Sequence, residues 1–124
     1  MNTSTSALPH NATYRDGLAL AMRSALADHD NTLIIGQGVT DHKGIFGTTT
    51  DLHQDYPGRV IETPLSEDAI TGICIGAALN GMYPINTHIR ADFGLLAMNQ
   101  LINMAAKYKY MFGGLFSVPW WCRP

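Results

Sequence analysis

The stretch Arg59–Ile85, RVIETPLSEDAITGICIGAALNGMYPI, places the tightest constraint on the fold of this chain. Val60-Ile61 reads as a short buried strand, and Thr63-Pro64 turns the chain, since proline fixes its own φ and removes a backbone donor. A helix rich in small residues follows. Ser66 is its predicted N-cap, Glu67 and Asp68 fall in its first turn, and Ile70, Ile73, Cys74, Ala77 and Ala78 supply its apolar side chains. Gly81 marks its end, and a new apolar run begins around Pro84. Glycine and alanine leave little side chain on parts of this helix, which suits close approach to a sheet, another helix or another subunit.

The rest of the chain repeats this strand–helix rhythm. Residues 1–12 are small and polar and predict a mobile tail. From Thr13, the predicted N-cap, Leu18, Met22, Ala25 and Leu26 recur at helical spacing until Asp28-His29-Asp30-Asn31 ends the run. Thr32–Ile35 is a continuous apolar run of strand length, the pattern of a strand covered on both faces. A short helix is expected over Thr48–Tyr56, capped by one of three threonines and closed by Pro57-Gly58. A third strand is expected over Tyr83–Ile89. A fourth main helix should follow from Arg90 to Gly113-Gly114, and a fourth strand should begin at Leu115. Alternating strands and helices predict an α/β fold: a doubly wound, mostly parallel sheet with helices on both faces.

Composition narrows the function. The chain has 124 residues, 46% hydrophobic and 15% charged, which fits one packed domain. A net charge of −2 gives no basic field for nucleic acid or anionic lipid. The longest apolar run, Ile70–Leu79, is too short and glycine-rich to span a bilayer. Cys74 and Cys122 form no disulfide framework or zinc spacing, and no basic-then-apolar leader opens the chain, so a cytoplasmic setting is expected.

In an open parallel sheet, ligands gather beyond the C-terminal ends of the strands. That rule selects residues 36–39, 62–67 and 88–93. The glycine-rich loop GQGVTDHKGIFG lacks both a dinucleotide fingerprint, since its sixth position is Asp41, and a Gly-Lys-Ser/Thr ending, since Gly44 follows Lys43. Its glycines read as turns and close approaches, with phosphate binding as the alternative. Glu67 opens a helix just past a strand. Position alone allows two roles: complement to the helix dipole, worth roughly 0.3–1 kcal/mol, or a functional acid. His88 lies near a strand end, either as a hydrogen-bonded polar residue or as a site residue, and Phe93 reads by default as a core aromatic at a helix start. His10, His29, His42, His53 and His88 have no metal-ligand spacing, so no metal site is expected in this chain.

These residues carry a family resemblance. PGRVIETPLSEDAITGICIGAALNGMYPI, the ADF at Ala91–Phe93, NQLINMAAKYKYMFGG, and the loop pattern G-x-x-V…G-x-F-G-x-T opening at Gly36 resemble the β chains of 2-oxo-acid dehydrogenase E1 components, of the pyruvate, branched-chain and acetoin types. The resemblance spans most of residues 13–119 and implies a transketolase-like pyrimidine-binding domain. It also implies thiamine diphosphate as cofactor, an oxidoreductase complex that oxidatively decarboxylates a 2-oxo acid, an E1 α-type partner chain that holds Mg²⁺ and the diphosphate, and an E2 acyltransferase core as a further partner. Glu67 matches the family's TP(I/L)SE glutamate, which hydrogen-bonds N1′ of the aminopyrimidine. Such an acid must hold a proton more tightly than in water, which a dry interface between chains would supply. Phe93 matches the aromatic packed on the pyrimidine and Leu65 the aliphatic residue beside it. His88 and Arg90 lie near the expected active-centre end and become candidate substrate contacts.

Three departures from the family pattern qualify that picture. Gln37 stands where the family usually carries an acid, and Gly38 follows it. No GDG…N motif for Mg²⁺ and diphosphate occurs in the chain. Family β chains are far longer and carry a second domain, so residues 13–119 are expected to be a partial domain. Residues 120–124 are read as an aberrant tail: valine codons GTG-GTG-GTG read one base late give Trp-Trp-Cys, as at Trp120-Trp121-Cys122, so a frameshift or sequencing error is the expectation. A deliberately short protein is the alternative. For function the alternative is a truncated, non-catalytic domain that serves only as an interaction fragment or does not fold stably.

Overall fold

The computed structural model of the chain describes residues 10–119 and 121–123. The expected mobile tail over residues 1–12 lies outside the described residues as far as residue 9, as do residues 120 and 124 of the tail at the other end. The apolar run after Asn31 forms the inner strand β1 (Thr32–Gly36). It is flanked by β2 (Val60–Glu62) and β3 (Tyr83–Thr87), and β4 (Trp121–Arg123) lies outside β3. Every neighbouring pair is parallel, in the order β2-β1-β3-β4. Ile34 stands opposite both Val60 and Ile85, and Gly36 opposite Glu62 and Thr87.

Because successive strand residues point to opposite faces, this register sorts the core into two. Ile34, Val60 and Ile85 join Met22 and Leu26 of α1 (Tyr14–Asp28), with Val39, Ile45 and Leu52, in one buried cluster. Ile35 faces the other way and packs on Ile70 and Cys74 of α4 (Glu67–Leu79). Helices therefore cover both faces, as a doubly wound sheet requires. Each fully buried aliphatic side chain contributes roughly 1.5–3 kcal/mol, so the α1 face, with the larger cluster, carries most of the apolar stabilisation.

Helix α1 opens on a capping box. Thr13 Oγ1 accepts from the Asp16 amide at 3.3 Å, and the Asp16 carboxylate accepts from the Thr13 amide at 2.9 Å. Its last turn holds no basic residue, and the cation comes instead from Arg59. That guanidinium donates to the carbonyls of Leu26 (2.9 Å), Thr32 (3.0 Å) and His29.

Several expected elements take a different form. The helix predicted over Thr48–Tyr56 contracts to α3 (Leu52–Asp55), preceded by the single turn α2 (Gly44–Gly47). In α2 all four residues have positive φ, from 36° at Ile45 to 85° at Gly47. None of the three threonines caps α3, whose N-cap is Asp51: Thr48 and Thr49 are buried, and Thr48 instead closes α2, its hydroxyl donating to the Ile45 carbonyl at 2.8 Å. Ser66 does precede α4, but its side chain makes no cap bond. Strand β3 stops at Thr87, two residues before the expected end. The predicted fourth main helix breaks into a 3₁₀ segment (Ala91–Ala97), a π segment (Asn99–Ala105) and α5 (Ala106–Met111). The wide π turn accompanies an anchor across helices: Gln100 lies over Gly72, 3.4 Å from where a Cβ would sit, and donates to Asp68 at 3.1 Å. Gly113 and Gly114 close α5 with φ of 59° and 83°, as expected. Residues 115–119 form no strand, so β4 begins at Trp121 rather than at Leu115.

Candidate functional site

The chain leaves β1 for β2 on one side and later returns to add β3 on the other. The order of strands therefore reverses beside β1, and a ligand crevice is expected at the C-terminal ends of β1 and β3. Gln37 comes from the end of β1, Ser66, Glu67 and Ile70 from the start of α4, and Thr87, His88 and Ile89 from the end of β3; together they line a cleft of about 10 Å³ there. Its floor is tight because Gly36 faces Thr87 so closely that a Cβ would meet the Thr87 hydroxyl at 2.1 Å. The Thr87 hydroxyl donates across the strands to the Ile35 carbonyl at 3.3 Å.

The glycine-rich loop after β1 turns out to serve its own backbone. The Glu62 carboxylate accepts from the Gly38 amide at 2.6 Å and from both the amide and hydroxyl of Thr40 at 3.0 Å. Amides that a phosphate would need are already engaged by an internal anion. Gly38 has φ of 74°, so its lack of a side chain is used for the turn.

Glu67 is the first residue of α4 and is half-buried at the cleft, where the helix N-terminus favours negative charge. His88 is only 4% exposed. Burial pushes the imidazole below the ordinary histidine pKa of 6.5, and the nearby charge of Glu67 opposes that shift in part. Behind the cleft His88 Nε2 lies 3.4 Å from Asn86 Nδ2, which donates to Thr71 Oγ1 at 2.9 Å; Thr71 in turn donates to the Glu67 carbonyl at 2.8 Å.

The structure thus brings Glu67 and His88 together and leaves the other expected site residues outside this cleft. Leu65 is 66% exposed. Arg90 is paired with Asp92 at 2.6 Å and covers the Phe93 ring at 5.2 Å from its centroid, and neither Arg90, Phe93 nor Leu65 lines the cleft. Sequence reading missed Glu62, Thr71 and Asn86. The signal for Asn86 was present, since Asn86-Thr87-His88 is a polar run continuing an apolar strand. A second hollow of about 220 Å³, between Gly38, Asp41, Lys43, Ile45, Phe46 and Ile89, shares Ile89 with the cleft. A larger one, about 520 Å³, sits at the opposite end of the strands beside Asn31 and Tyr83, away from the crevice. No group of three or more His, Cys, Asp or Glu among the described residues is placed to hold a metal ion. No helix among them is long and apolar enough to cross a membrane.

Fold and cleft together define a doubly wound α/β domain with an acid at a helix N-terminus in its switch-point crevice. Residues 10–120 match the transketolase pyrimidine-binding domain, and the chain belongs to that family. It is 36% identical over 110 residues to the mitochondrial pyruvate dehydrogenase E1 component subunit beta of Ascaris suum, an alignment covering 88% of this chain and 30% of the relative. It is 38% identical over 108 residues to the 2-oxoisovalerate dehydrogenase subunit beta of Bacillus subtilis, covering 86% and 33%. With the pyruvate dehydrogenase E1 component subunit beta of Rhizobium meliloti it shares 33% identity over 108 residues, covering 86% and 24%. The chain spans about a third of the length of the curated relatives it matches, or less.

Proposed function

We propose that this chain supplies the pyrimidine-binding half of a thiamine-diphosphate site in a 2-oxo-acid dehydrogenase E1 component, with Glu67 as the proton partner of aminopyrimidine N1′. The observation that carries this reading is the place of Glu67: first residue of α4, half-buried, in the switch-point cleft. The names of the relatives support the reaction class, oxidative decarboxylation of a 2-oxo acid. Thiamine diphosphate, when bound, supplies the electron sink for that chemistry.

The chain's own residues then have distinct tasks. The Glu67 carboxyl holds a proton at N1′ and orients the ring, with Leu65 and Phe93 flanking the pyrimidine. Arg90 and His88 meet the substrate from the β3 side. For Phe93 to take that role, Arg90 must release the ring face it now covers. Gln37 beside Glu67 is neutral where the family usually has an acid, so the cleft holds one fewer negative charge.

A cleft of about 10 Å³ has room for no more than a single water, so a buried cofactor needs a second wall. In this reading an E1 α-type chain supplies that wall together with the Mg²⁺ and diphosphate contacts, and an E2 core receives the product. Exposed apolar side chains on the far helices, among them Leu95, Leu96, Ile102 and Met111, fit a surface that is covered in the assembled protein. The same surface favours a second reading, in which the chain acts only as an interaction fragment.

Co-expression with an E1 α-type chain tests both. Glu67→Gln should lower turnover by about 100-fold or more with assembly retained. Full activity in that variant would sink the assignment of Glu67. Assembly without cofactor binding by the unaltered chain would establish the fragment reading.

A further inference from the structure

A buried polar chain lies behind the cleft and reaches both of its principal residues. The Thr71 hydroxyl donates its proton to the Glu67 carbonyl, 2.8 Å away. Its lone pairs are then what faces β3, and Asn86 meets them at 2.9 Å. With that proton on the Glu67 carbonyl, Asn86 presents its NH₂ rather than its side-chain carbonyl, whose oxygen is left buried without a partner. The same nitrogen lies 3.4 Å from His88 Nε2, so its second N–H points at a ring nitrogen that has to offer a lone pair. Thr71 and Asn86 are fully buried and His88 nearly so.

An imidazolium would set one N–H against another inside this pocket and lose its hydration. Burial already disfavours the cation, against the attraction of Glu67. Of the other charges on these elements, Asp68 accepts from Gln100 through one carboxylate oxygen and keeps the other buried without a partner, and Arg90 and Asp92 pair with each other.

We propose that Asn86 and Thr71 are positioning residues that hold His88 as the neutral tautomer protonated on Nδ1, beside Glu67. Its use rests on the reading of Glu67 given above. A protonated His88 would favour the Glu67 carboxylate through its charge, whereas a neutral ring leaves Glu67 able to share a proton with a pyrimidine nitrogen. Sequence signals alone do not reach this arrangement, because Thr71 and Asn86 sit on different elements, fifteen positions apart.

Nitrogen-15 NMR of the histidine rings in the full chain tests it without any ligand, with His88 assigned by the loss of its signals in His88→Gln. At neutral pH, Nε2 is expected to resonate as a lone-pair, pyridine-type nitrogen and Nδ1 as a protonated, pyrrole-type one. An Nε2–H tautomer or an imidazolium overturns the proposal. Asn86→Asp replaces the donor with an anionic acceptor and should raise the His88 titration midpoint by about 1–3 pH units; an unmoved midpoint overturns it. Thr71→Val should release the amide and give mixed tautomers, and Thr71→Ser should restore the single form. A valine spectrum identical to that of the unaltered chain removes Thr71 from the role. A variant that does not fold leaves the first measurement decisive. Failure of Glu67→Gln to lower turnover would reject the Glu67 reading and leave these spectra unchanged, so the two outcomes separate.

Discussion

Gly36 and Thr87 are register partners on β1 and β3, and a Cβ on Gly36 would stand 2.1 Å from the Thr87 hydroxyl oxygen and 2.4 Å from its carbonyl oxygen. The hydroxyl could rotate away, but the carbonyl belongs to the sheet and cannot. Gly36→Ala should therefore push β1 and β3 apart at the floor of the cleft and cost about 1–3 kcal/mol. A urea melt reads this as a lower midpoint at unchanged slope. A midpoint equal to that of the unaltered chain would mean that the strands part freely there.

Glu62 holds the loop between β1 and the left-handed turn of α2 by accepting from Gly38 and Thr40. Glu62→Ala removes the acceptor of two backbone donors, and leaving the buried Gly38 amide unsatisfied costs about 1–3 kcal/mol, whereas water can reach the more exposed Thr40 amide. Hydrogen exchange at the Gly38 and Thr40 amides should accelerate by about tenfold or more. Glu62→Gln, which keeps one acceptor oxygen, should show a smaller change. Exchange rates unaltered in both would reject the carboxylate as the loop's anchor.

Arg59 ties the carbonyls of Leu26, His29 and Thr32 through one planar fork. Lysine carries the same charge but cannot span three acceptors with fixed geometry. Arg59→Lys should cost about 1.5–3 kcal/mol, the range for hydrogen bonds that involve a charged group, and fray the last turn of α1. Calorimetry and amide exchange at residues 26–29 check the two parts separately.

Stability should fall in two separate pH windows. The Thr13 backbone amide, then its hydroxyl, then Arg15 hold Asp16 down at about 2 from an ordinary 3.8. A depressed acid contributes stability above its unfolded value, and that contribution is lost as pH falls from about 3.8 towards 2. His88 acts at higher pH. Below 6.5 the unfolded chain takes up a proton that the buried ring resists, so stability declines from that point downward until the folded ring also titrates. Thermal melts across pH should lose the acid-side window in Asp16→Asn and the window below 6.5 in His88→Gln. A His88→Gln curve that keeps its slope below 6.5 would assign that slope to another group.

Much of the fold follows from short-range pattern. Thr32–Ile35 is apolar on both sides and becomes the inner strand β1. Asn80-Gly81 and Gly113-Gly114 end helices because glycine alone accepts their positive φ at little cost. Glu67 was legible for the same reason, as a proline turn after a strand and an acid before a small-residue run leave little choice about where α4 begins.

What local pattern could not reach are the groups whose partners are distant in sequence. Arg59 completes α1 from more than thirty residues away, Glu62 occupies loop amides that a sequence reader would leave open for phosphate, and Gln100 reaches Asp68 across Gly72. The threonines at 48 and 49 look like caps until the core claims them. Hydrophobic periodicity and turn chemistry act within a few residues, so they set strand, helix and stop. Hydrogen-bond satisfaction in a buried interior is settled only when the elements pack. That packing is what joined His88, Asn86 and Thr71 to the backbone carbonyl of Glu67 in the first turn of α4.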